Sequence, residues 1–251
     1  MKALITGASS GIGESIAYEL SKKGYDLILV ARSKDNLEKV AKKIKTNTKI
    51  IVCDLAKKEN VLDLYEQTKK ENIDVLVNNA GFGLFGYFDS TDLERELEMI
   101  NVNITAVHIL TKLFLKDFLK RDSGYILNVA SSAGFMAGPK LSTYYATKNY
   151  VLKLTEAIYE ELRHKKSNVH ISALCPGPVD TNFNKVANGS FVVDGISKDY
   201  VAKYAVEKMF KNKLVIVPKT SIKLAVFSTR ILPLKLLLRI NYRIQDLKSK
   251  N

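Results

Sequence analysis

The sequence predicts an α/β fold: a doubly wound parallel sheet with helices on both faces, in a single domain. Short apolar strand patterns alternate with helical patterns along the chain, which is the order of repeated βαβ units. The strand segments are apolar almost throughout, so both of their faces are expected to be buried. The chain has 251 residues, which suits one large domain around a single core. We find no repeat, low-complexity tract or linker that divides it.

The first half of the chain contains four strand patterns. In order, the strands are "KALIT", "DLILVA", "KIIVC" and "DVLVN". The first three are followed by the helical "GIGESIAYELSKKG", a helix over about 34–45 and a helix over about 58–70. The first helix is expected to end at Gly24, because glycine commonly follows the last turn of a helix.

The second half continues the alternation. The Gly-rich "AGFGLFG" leads to a long helix over about 91–120, followed by the strand "GYILNVAS", a helix over about 142–165, and the strands "VHISALC" and "KLVIVP". In such a sheet, ligands bind beyond the carboxyl ends of the strands. The loops after the strands are therefore the candidate functional site.

Composition narrows the class of protein. A hydrophobic fraction of 46% and a charged fraction of 26% are ordinary for a globular chain. No stretch reaches the roughly 20 apolar residues of a membrane-spanning helix, and "MKALITG" lacks the apolar core of a signal peptide. Cys53 and Cys175 each lie in an apolar run, which indicates buried thiols in a reducing compartment. We expect a cytoplasmic protein without a metal site.

The net charge of +13 is concentrated in one region. Residues 201–251 contain 12 Lys or Arg and 2 Asp or Glu, a balance of +10, so residues 1–200 carry only +3. No nucleic-acid-binding motif accompanies this charge, and we expect no nucleic-acid partner.

The first strand is followed by a Gly-rich loop, "TGASSGIG", at residues 6–13. Glycines allow a tight turn and close approach to a phosphate, and the helix N-terminus that follows attracts an anion. A merely structural turn is the alternative, but the position after the first strand of a βαβ unit favours a dinucleotide site. Its candidate binding residues are Gly7, Ser9, Ser10, Gly11, Ile12 and Gly13.

The second strand ends in "LVARS". Folds specific for NAD commonly place an acid here to bind the ribose 2′-hydroxyl, whereas this chain has Arg32 and Ser33, which favour a 2′-phosphate. We therefore expect NADP(H) as the cofactor. A solvated Arg at a helix start is the alternative interpretation.

The stretch "STYYATKNY" at 142–150 contains two tyrosines near a lysine. Tyr144 lies four residues before Lys148 and Tyr145 three, and both spacings share a helix face, so geometry alone does not choose between them. A tyrosine with a pKa near 10 transfers protons poorly unless a cation such as Lys148 is close. Ser131 or Ser132, after the fifth strand, can hold a substrate oxygen.

These motifs together resemble the short-chain dehydrogenase/reductase family. The G-x-x-x-G-x-G loop, "NNAG" at 78–81, the Tyr–Lys pair and "PGPVDT" occur in the family's order over about residues 1–185. The resemblance implies a Rossmann-type fold and an NADP(H)-dependent oxidoreductase that interconverts a carbonyl and an alcohol by hydride transfer. A catalytically silent nucleotide-binding or regulatory protein on the same fold is the alternative.

The resemblance also selects the catalytic residues. Tyr144 and Lys148 satisfy the family's Tyr-x-x-x-Lys motif, whereas Tyr145 is one residue out of register. Ser131 lies 144 − 131 = 13 positions before Tyr144, the separation usual in the family, and is favoured over Ser132.

Asn103, in "NVNIT", takes the family's fourth catalytic position, where an Asn helps to hold a water that links the Lys to solvent. A satisfied core amide is the alternative interpretation of this residue.

The resemblance extends the cofactor site to the loops after the later strands. It implies contacts with the adenine ring, the length of the cofactor, and the nicotinamide carboxamide. These cofactor-binding residues are Asp54, Leu55, Asn79, Ala80, Gly81, Tyr144, Lys148, Pro176, Gly177, Val179 and Thr181.

Beyond these motifs the resemblance is weaker. Residues 182–200 occupy the place of the family's substrate loop, and residues 220–251 form a basic amphipathic extension. Aromatic and apolar residues in two loops favour an apolar carbonyl substrate. They are Phe82, Phe85, Tyr87 and Phe88 in the first loop, and Phe183, Phe191, Val192 and Val193 in the second.

The extension is expected to form two helical pieces separated by Pro233. In the second piece, basic Lys235, Arg239 and Arg243 recur at helical spacing beside apolar Leu236, Ile240 and Ile244. Such a helix can dock on a subunit, cover the substrate pocket, or lie on an anionic membrane surface.

The family usually pairs its subunits through the two long helices. We therefore expect a homodimer or homotetramer.

Overall fold

A parallel sheet forms the centre of the molecule. The computed structural model describes residues 1–181, 183 and 195–247, and within them seven strands pair in the order β3-β2-β1-β4-β5-β6-β9, every pairing parallel. The predicted α/β Rossmann-type fold is confirmed. The strands are β1 (Lys2–Thr6), β2 (Asp26–Ala31), β3 (Thr48–Val52), β4 (Val75–Asn78), β5 (Gly124–Val129), β6 (Val169–Leu174) and β9 (Val215–Ile216).

Helices cover both faces of the sheet. They are α1 (Gly11–Lys22), α2 (Lys34–Ala41), α3 (Lys58–Thr68), α4 (Leu93–Ile100), α5 (Val107–Lys120), α6 (Ser142–His164), α7 (Lys198–Met209), α8 (Thr220–Ser228) and α9 (Leu234–Leu247). Within residues 1–181, 183 and 195–247, no helix is both long and apolar enough to cross a bilayer.

Alternate strand residues pack against opposite helical layers. Ile5 and Leu29 join the core with α1, α2 and α7, whereas Leu4 and Ile28 join the core with α3 and α5. This alternation follows from the period of two in a strand. It explains why the strand segments are apolar on both faces.

The long helix predicted over about 91–120 is interrupted by a π-helical turn. Residues Asn101–Ala106 adopt this turn between α4 and α5. π-Helical turns are rare and frequently occur at functional sites, and this one contains Asn103.

Two short strands lie outside the main sheet. β7 (Val179–Asp180) and β8 (Ile196–Ser197) pair in parallel, so the last residues of the predicted substrate loop at 182–200 form strand β8 and the start of α7 instead. Most of that loop, including Phe191, Val192 and Val193, lies outside the described residues. The predicted break at Pro233 separates α8 from α9.

Two buried asparagines join neighbouring strands beneath the site. Asn78 and Asn128 are register partners on β4 and β5, and Asn78 Nδ2 donates to Asn128 Oδ1 at 2.8 Å. Asn128 Nδ2 in turn donates to Thr155 Oγ1 on α6 at 3.0 Å. This network ties α6 to the sheet below the loops that form the site.

We predict that Asn128→Ala lowers the free energy of unfolding by about 2–3 kcal/mol, because it leaves buried polar partners unpaired. Denaturant unfolding monitored by circular dichroism measures this change. Asn47→Ala, at an exposed asparagine, is the control and should change stability by less than about 0.5 kcal/mol. Equal effects of the two substitutions would contradict a structural role for the network.

Candidate active site

A cavity of about 480 Å³ lies at the carboxyl ends of the strands. It contains the predicted cofactor residues in one continuous surface, with the exception of Gly13. The lining residues predicted from the sequence are Gly7, Ser9, Ser10, Gly11, Ile12, Arg32, Ser33, Asp54, Leu55, Asn79, Ala80, Gly81, Ser131, Tyr144, Lys148, Pro176, Gly177, Val179 and Thr181.

The Gly-rich loop is held tightly against the end of β4. Gly7 has φ +63°, and a Cβ there would lie 2.8 Å from the backbone of Ala80, so only glycine fits without strain. A Cβ on Gly13 would lie 2.4 Å from the carbonyl oxygen of Gly7. Gly13 therefore allows the start of α1 to pack directly against the backbone of Gly7, outside the cavity surface. Asn79 Nδ2 fastens the loop by donating to the carbonyl of Thr6 at 2.9 Å.

The start of α1 fits the phosphates of a dinucleotide. Ser10 is the N-cap, yet its side chain makes no capping hydrogen bond within the described part of the chain. Gly11, with φ +61°, begins the helix and lines the cavity. The first N–H groups of a helix have no intrahelical partner and attract anions. The loop and helix end thus supply a phosphate-binding surface.

Arg32 and Ser33 lie at the end of the cavity formed by β2. Arg32 Nη1 is 3.0 Å from Glu98 Oε1 on α4, and the Arg32 side chain is 60% exposed. Glu98 also pairs with Arg95. Ser33 caps α2, its Oγ accepting from the Asn36 N–H at 3.4 Å. Glu98 was not predicted, and it competes with any anion for the Arg32 guanidinium.

Hydrogen bonds from backbone N–H groups fix the remaining cofactor loops. Asp54 Oδ1 accepts from the N–H of Ala56 at 3.1 Å, which shapes the turn after β3. The carbonyl of Pro176 accepts from the N–H of Ser132 at 2.8 Å. The loops after β5 and β6 are thereby joined at the cavity.

Tyr144 and Ser131 meet inside the cavity. Burial raises the pKa of Tyr144 to about 12, and the smaller effect of the nearby Ser131 hydroxyl lowers it. Ser131 Oγ accepts from the N–H of Ala133 at 3.1 Å, which orients its hydroxyl. The Tyr144 ring lies 5.3 Å from the ring of Phe183.

Lys148 is buried one turn further along α6. Its side chain crosses behind Tyr144, with Nζ 5.9 Å from the centre of the Tyr144 ring. Nζ donates to the carbonyl of Val129 at the end of β5, at 2.9 Å. Burial lowers the pKa of this ammonium to about 8. Lys148 thus lies beside the Tyr144 ring, with an ammonium that titrates near pH 8.

Asn103 lies behind the cavity, fully buried in the π-helical turn. Its Nδ2 donates to the carbonyl of Phe82 at 2.9 Å and to Thr147 Oγ1 at 3.0 Å, and its Oδ1 accepts from the Phe82 N–H at 3.1 Å. A Cβ on Gly81 would lie 2.9 Å from Asn103 Oδ1 and 3.2 Å from Lys148 Nζ. The amide and the ammonium therefore approach each other across Gly81.

One polar residue of the cavity, Gln245, was not predicted from the sequence. Tyr145 and Gln245 both line the cavity, and Gln245 Nε2 donates to the Tyr145 hydroxyl at 2.7 Å. Gln245 is 1% exposed, and its Oε1 has no hydrogen-bond partner within the described part of the chain. The available signal was the i, i+4 pair of amides, Asn241 and Gln245, within an apolar and basic helix.

The chain belongs to the short-chain dehydrogenase family. Residues 1–190 match the model of that family, described as short chain dehydrogenase. The protein is therefore an oxidoreductase of carbonyl and alcohol substrates that uses a nicotinamide dinucleotide.

Two relatives illustrate the similarity. An uncharacterized oxidoreductase of Staphylococcus saprophyticus is 38% identical over 185 residues, which are 71% of this chain and 78% of that protein. The very-long-chain 3-oxoacyl-CoA reductase of Anas platyrhynchos is 36% identical over 198 residues, 75% of this chain and 63% of that protein.

Solved structures share the fold over most of its length. A short-chain dehydrogenase from Sphingobium yanoikuyae in complex with NADPH has a TM-score of 0.83 and 27% identity, covering 90% of this chain and 91% of that one. The bulky-bulky ketone specific alcohol dehydrogenase from Comamonas testosteroni has a TM-score of 0.79 and 26% identity, covering 91% of each chain.

The buried Lys148 makes stability depend on pH. Its folded-state pKa of about 8 lies below the unfolded value of 10.5, so the unfolded chain binds more protons between these pH values and stability rises with pH there. We predict that the free energy of unfolding of the cofactor-free protein gains up to about 3 kcal/mol over this window relative to Lys148→Met. Urea unfolding at a series of pH values measures the difference. Parallel curves for the two proteins would contradict the prediction.

Proposed function

We propose that the protein is an NADP(H)-dependent oxidoreductase that interconverts a carbonyl and an alcohol on an apolar small molecule. The observation that carries the proposal is the grouping of Ser131, Tyr144 and Lys148 at one wall of the cavity. A protein that only binds a nucleotide has no need of a hydroxyl pair backed by a buried ammonium.

Each residue has a distinct part in the proposed reaction. The nicotinamide cofactor, held by the Gly-rich loop and the loops after β4 and β6, supplies or accepts the hydride when bound. Ser131 holds the substrate oxygen by a hydrogen bond, and Tyr144 donates its proton to that oxygen during reduction. Lys148 stabilises the resulting phenolate by its charge.

The pKa directions support proton donation in the reductive direction. Burial raises the pKa of Tyr144 to about 12, so the phenol is protonated at neutral pH. Lys148, with a pKa near 8, is mostly charged at pH 7. Its ammonium is then available when negative charge develops on Tyr144.

Asn103 is proposed to act by positioning Lys148. Its amide is already bonded to Phe82 and Thr147, which accounts for its burial, and its Oδ1 is on the side of Gly81 that faces Lys148. This arrangement is compatible with a water between the amide and the ammonium, through which the proton on Lys148 exchanges with solvent.

We predict that Tyr144→Phe lowers kcat by about 100- to 10,000-fold, the usual contribution of a general acid. NADPH affinity, measured by fluorescence titration, should stay near the wild-type value because the aromatic ring is retained. Tyr145→Phe is the matched control, one residue away on the same helix, and should keep most of the activity. Near-normal turnover by Tyr144→Phe would overturn the assignment.

One experiment distinguishes the proposed enzyme from the alternative, a catalytically silent nucleotide-binding protein. NADPH oxidation is followed across a panel of apolar ketones, aldehydes and 3-oxoacyl thioesters. Turnover that Tyr144→Phe abolishes supports the enzyme. Cofactor binding without turnover on any carbonyl of the panel would favour the silent binder.

The preference for NADP(H) is proposed from Arg32 and Ser33. Both line the cavity at the end of β2, the place where a ribose 2′-substituent is recognised in this fold. The pairing of Arg32 with Glu98 shows that the guanidinium is oriented toward a carboxylate. A 2′-phosphate can compete for the same donor groups.

We predict that Arg32→Ala weakens NADPH binding by about tenfold or more, because it removes a charge-assisted hydrogen bond, and changes NADH binding little. Glu98→Gln should have the opposite effect on NADPH, since it frees the guanidinium and removes a negative charge. Isothermal titration calorimetry of the wild type and the two variants with both cofactors gives the six affinities. A wild-type preference for NADH would refute the proposal.

The apolar substrate is proposed from the apolar side chains that line the cavity. Phe82, Val102, Leu141 and Phe183 line it beside Tyr144. The similarity to a 3-oxoacyl-CoA reductase and to a bulky ketone dehydrogenase supports the same substrate character. The free Oε1 of Gln245 can accept a hydrogen bond from a hydroxyl or amide group elsewhere on the substrate.

A further inference from the structure

The polar side of helix α9, rather than its apolar side, faces the domain. Asn241 and Gln245 lie one turn apart and are 5% and 1% exposed. Asn241 Nδ2 donates to the carbonyl of Ala137 at 2.6 Å, and Gln245 donates to Tyr145. The amides thereby fasten α9 beside the cavity.

The apolar side of α9 faces solvent. Leu236, Ile240 and Ile244 are 45%, 39% and 47% exposed. A surface helix ordinarily turns its apolar stripe inward and its polar residues outward. The reversed orientation of α9 leaves an apolar stripe that no described part of the chain covers.

The same side of the helix is basic. Lys235, Arg239 and Arg243 are all exposed, at the i, i+4, i+8 spacing that the sequence shows. Asp246 is the single acidic residue from 220 to 251, and its Oδ1 is 2.5 Å from Lys140 Nζ. The exposed stripe therefore carries a net positive charge, because its three cations outnumber this one carboxylate.

Helix α8 and the turn after it add further exposed apolar residues. Leu224, Phe227 and Ile231 are 67%, 59% and 66% exposed. We call these residues, together with Lys235, Leu236, Arg239, Ile240, Arg243 and Ile244, the α8–α9 face. Exposed apolar residues accompanied by cations are typical of a site for membranes or partners.

We propose that the α8–α9 face binds the surface of an anionic lipid bilayer. Apolar side chains enter the boundary between headgroups and acyl chains, while the Lys and Arg heads remain at the level of the lipid phosphates. Each basic residue near such a surface contributes about 1 kcal/mol. The face has both of the components that this mode of binding requires.

Charge distinguishes this occupant from a second copy of the chain. A two-fold contact through the face would bring Lys235, Arg239 and Arg243 of both copies together, and like charges oppose such a contact. An anionic bilayer instead supplies the complementary charge. It also covers apolar side chains without requiring a shaped partner.

The test is co-sedimentation of the full chain with vesicles. Phosphatidylcholine vesicles are compared with vesicles that contain phosphatidylglycerol as well, at low and at high salt. We expect binding to the anionic vesicles only, weakened by salt. The combined Lys235→Gln, Arg239→Gln and Arg243→Gln variant should bind on the order of 100-fold more weakly.

Two further variants separate the components of the face. Leu236→Ser with Ile240→Ser should also lose vesicle binding, whereas Leu62→Ser, at an exposed leucine of α3, should not. NADPH binding verifies that each variant is folded. Failure of the wild type to bind anionic vesicles, or equal binding by the charge variant, overturns the proposal. So does a dimer in sedimentation equilibrium that Leu236→Ser with Ile240→Ser dissociates.

Discussion

The burial of the Lys148 ammonium is the constraint on which the rest of the site depends. Taking a charged amine out of water costs several kcal/mol unless the protein supplies acceptors and dipoles in return. The described part of the chain supplies one hydrogen bond, from Nζ to the carbonyl of Val129, and a position beside the Tyr144 ring. The lowered pKa of Lys148 expresses the remaining cost. A lysine in this position is costly for stability and useful for proton transfer.

Several features of the fold follow from accommodating that lysine. Residue 81 has no side chain, and the space that a Cβ would fill there is taken by Lys148 Nζ and the amide of Asn103. The π-helical turn brings Asn103 to this place between α4 and α5. The asparagines under the site hold β4, β5 and α6 together, so that Val129 and Lys148 keep their separation. The same elements, β4, β5 and α6, therefore stabilise the fold and position the residues of the proposed reaction.

The sequence predicted the strands, the order of the loops and the residues around the cavity, because these features are local. A buried strand or a Gly-rich turn can be recognised from a few neighbouring residues. Tyr144 and Tyr145 differ by one position in register, and the structure places the first beside Ser131 and the second against Gln245. Gln245 is 100 residues from Tyr145, and Glu98 is 66 residues from Arg32. Contacts between residues so far apart in the sequence leave no periodic pattern from which they could be predicted. The extra residue of a π-helical turn leaves no such pattern either.

The C-terminal helices connect the proposed chemistry with the proposed surface. Gln245 contributes to the cavity wall through the same helix whose other side is apolar and basic. An apolar substrate that partitions into a bilayer would then meet the enzyme near the mouth of its cavity. Hydrogen bonds and an ion pair join α9 to Ala137, Tyr145 and Lys140. These contacts fix the exposed apolar and basic side of the helix relative to the cavity.

In the proposed reaction, Tyr144 is the group whose proton moves and Lys148 controls its ionisation. Ultraviolet difference titration of the tyrosines, in the complex with oxidised cofactor, tests this assignment most directly. Burial raises the pKa of Tyr144 to about 12 in the cofactor-free protein, whereas the positive charge of the oxidised nicotinamide would add to that of Lys148 and favour the phenolate. We therefore expect one tyrosine of the 12 in the chain to ionise at a lower pH in the complex than without cofactor. That transition should be absent in Tyr144→Phe and shifted to higher pH in Lys148→Met. An early transition that persists in Tyr144→Phe would contradict the account.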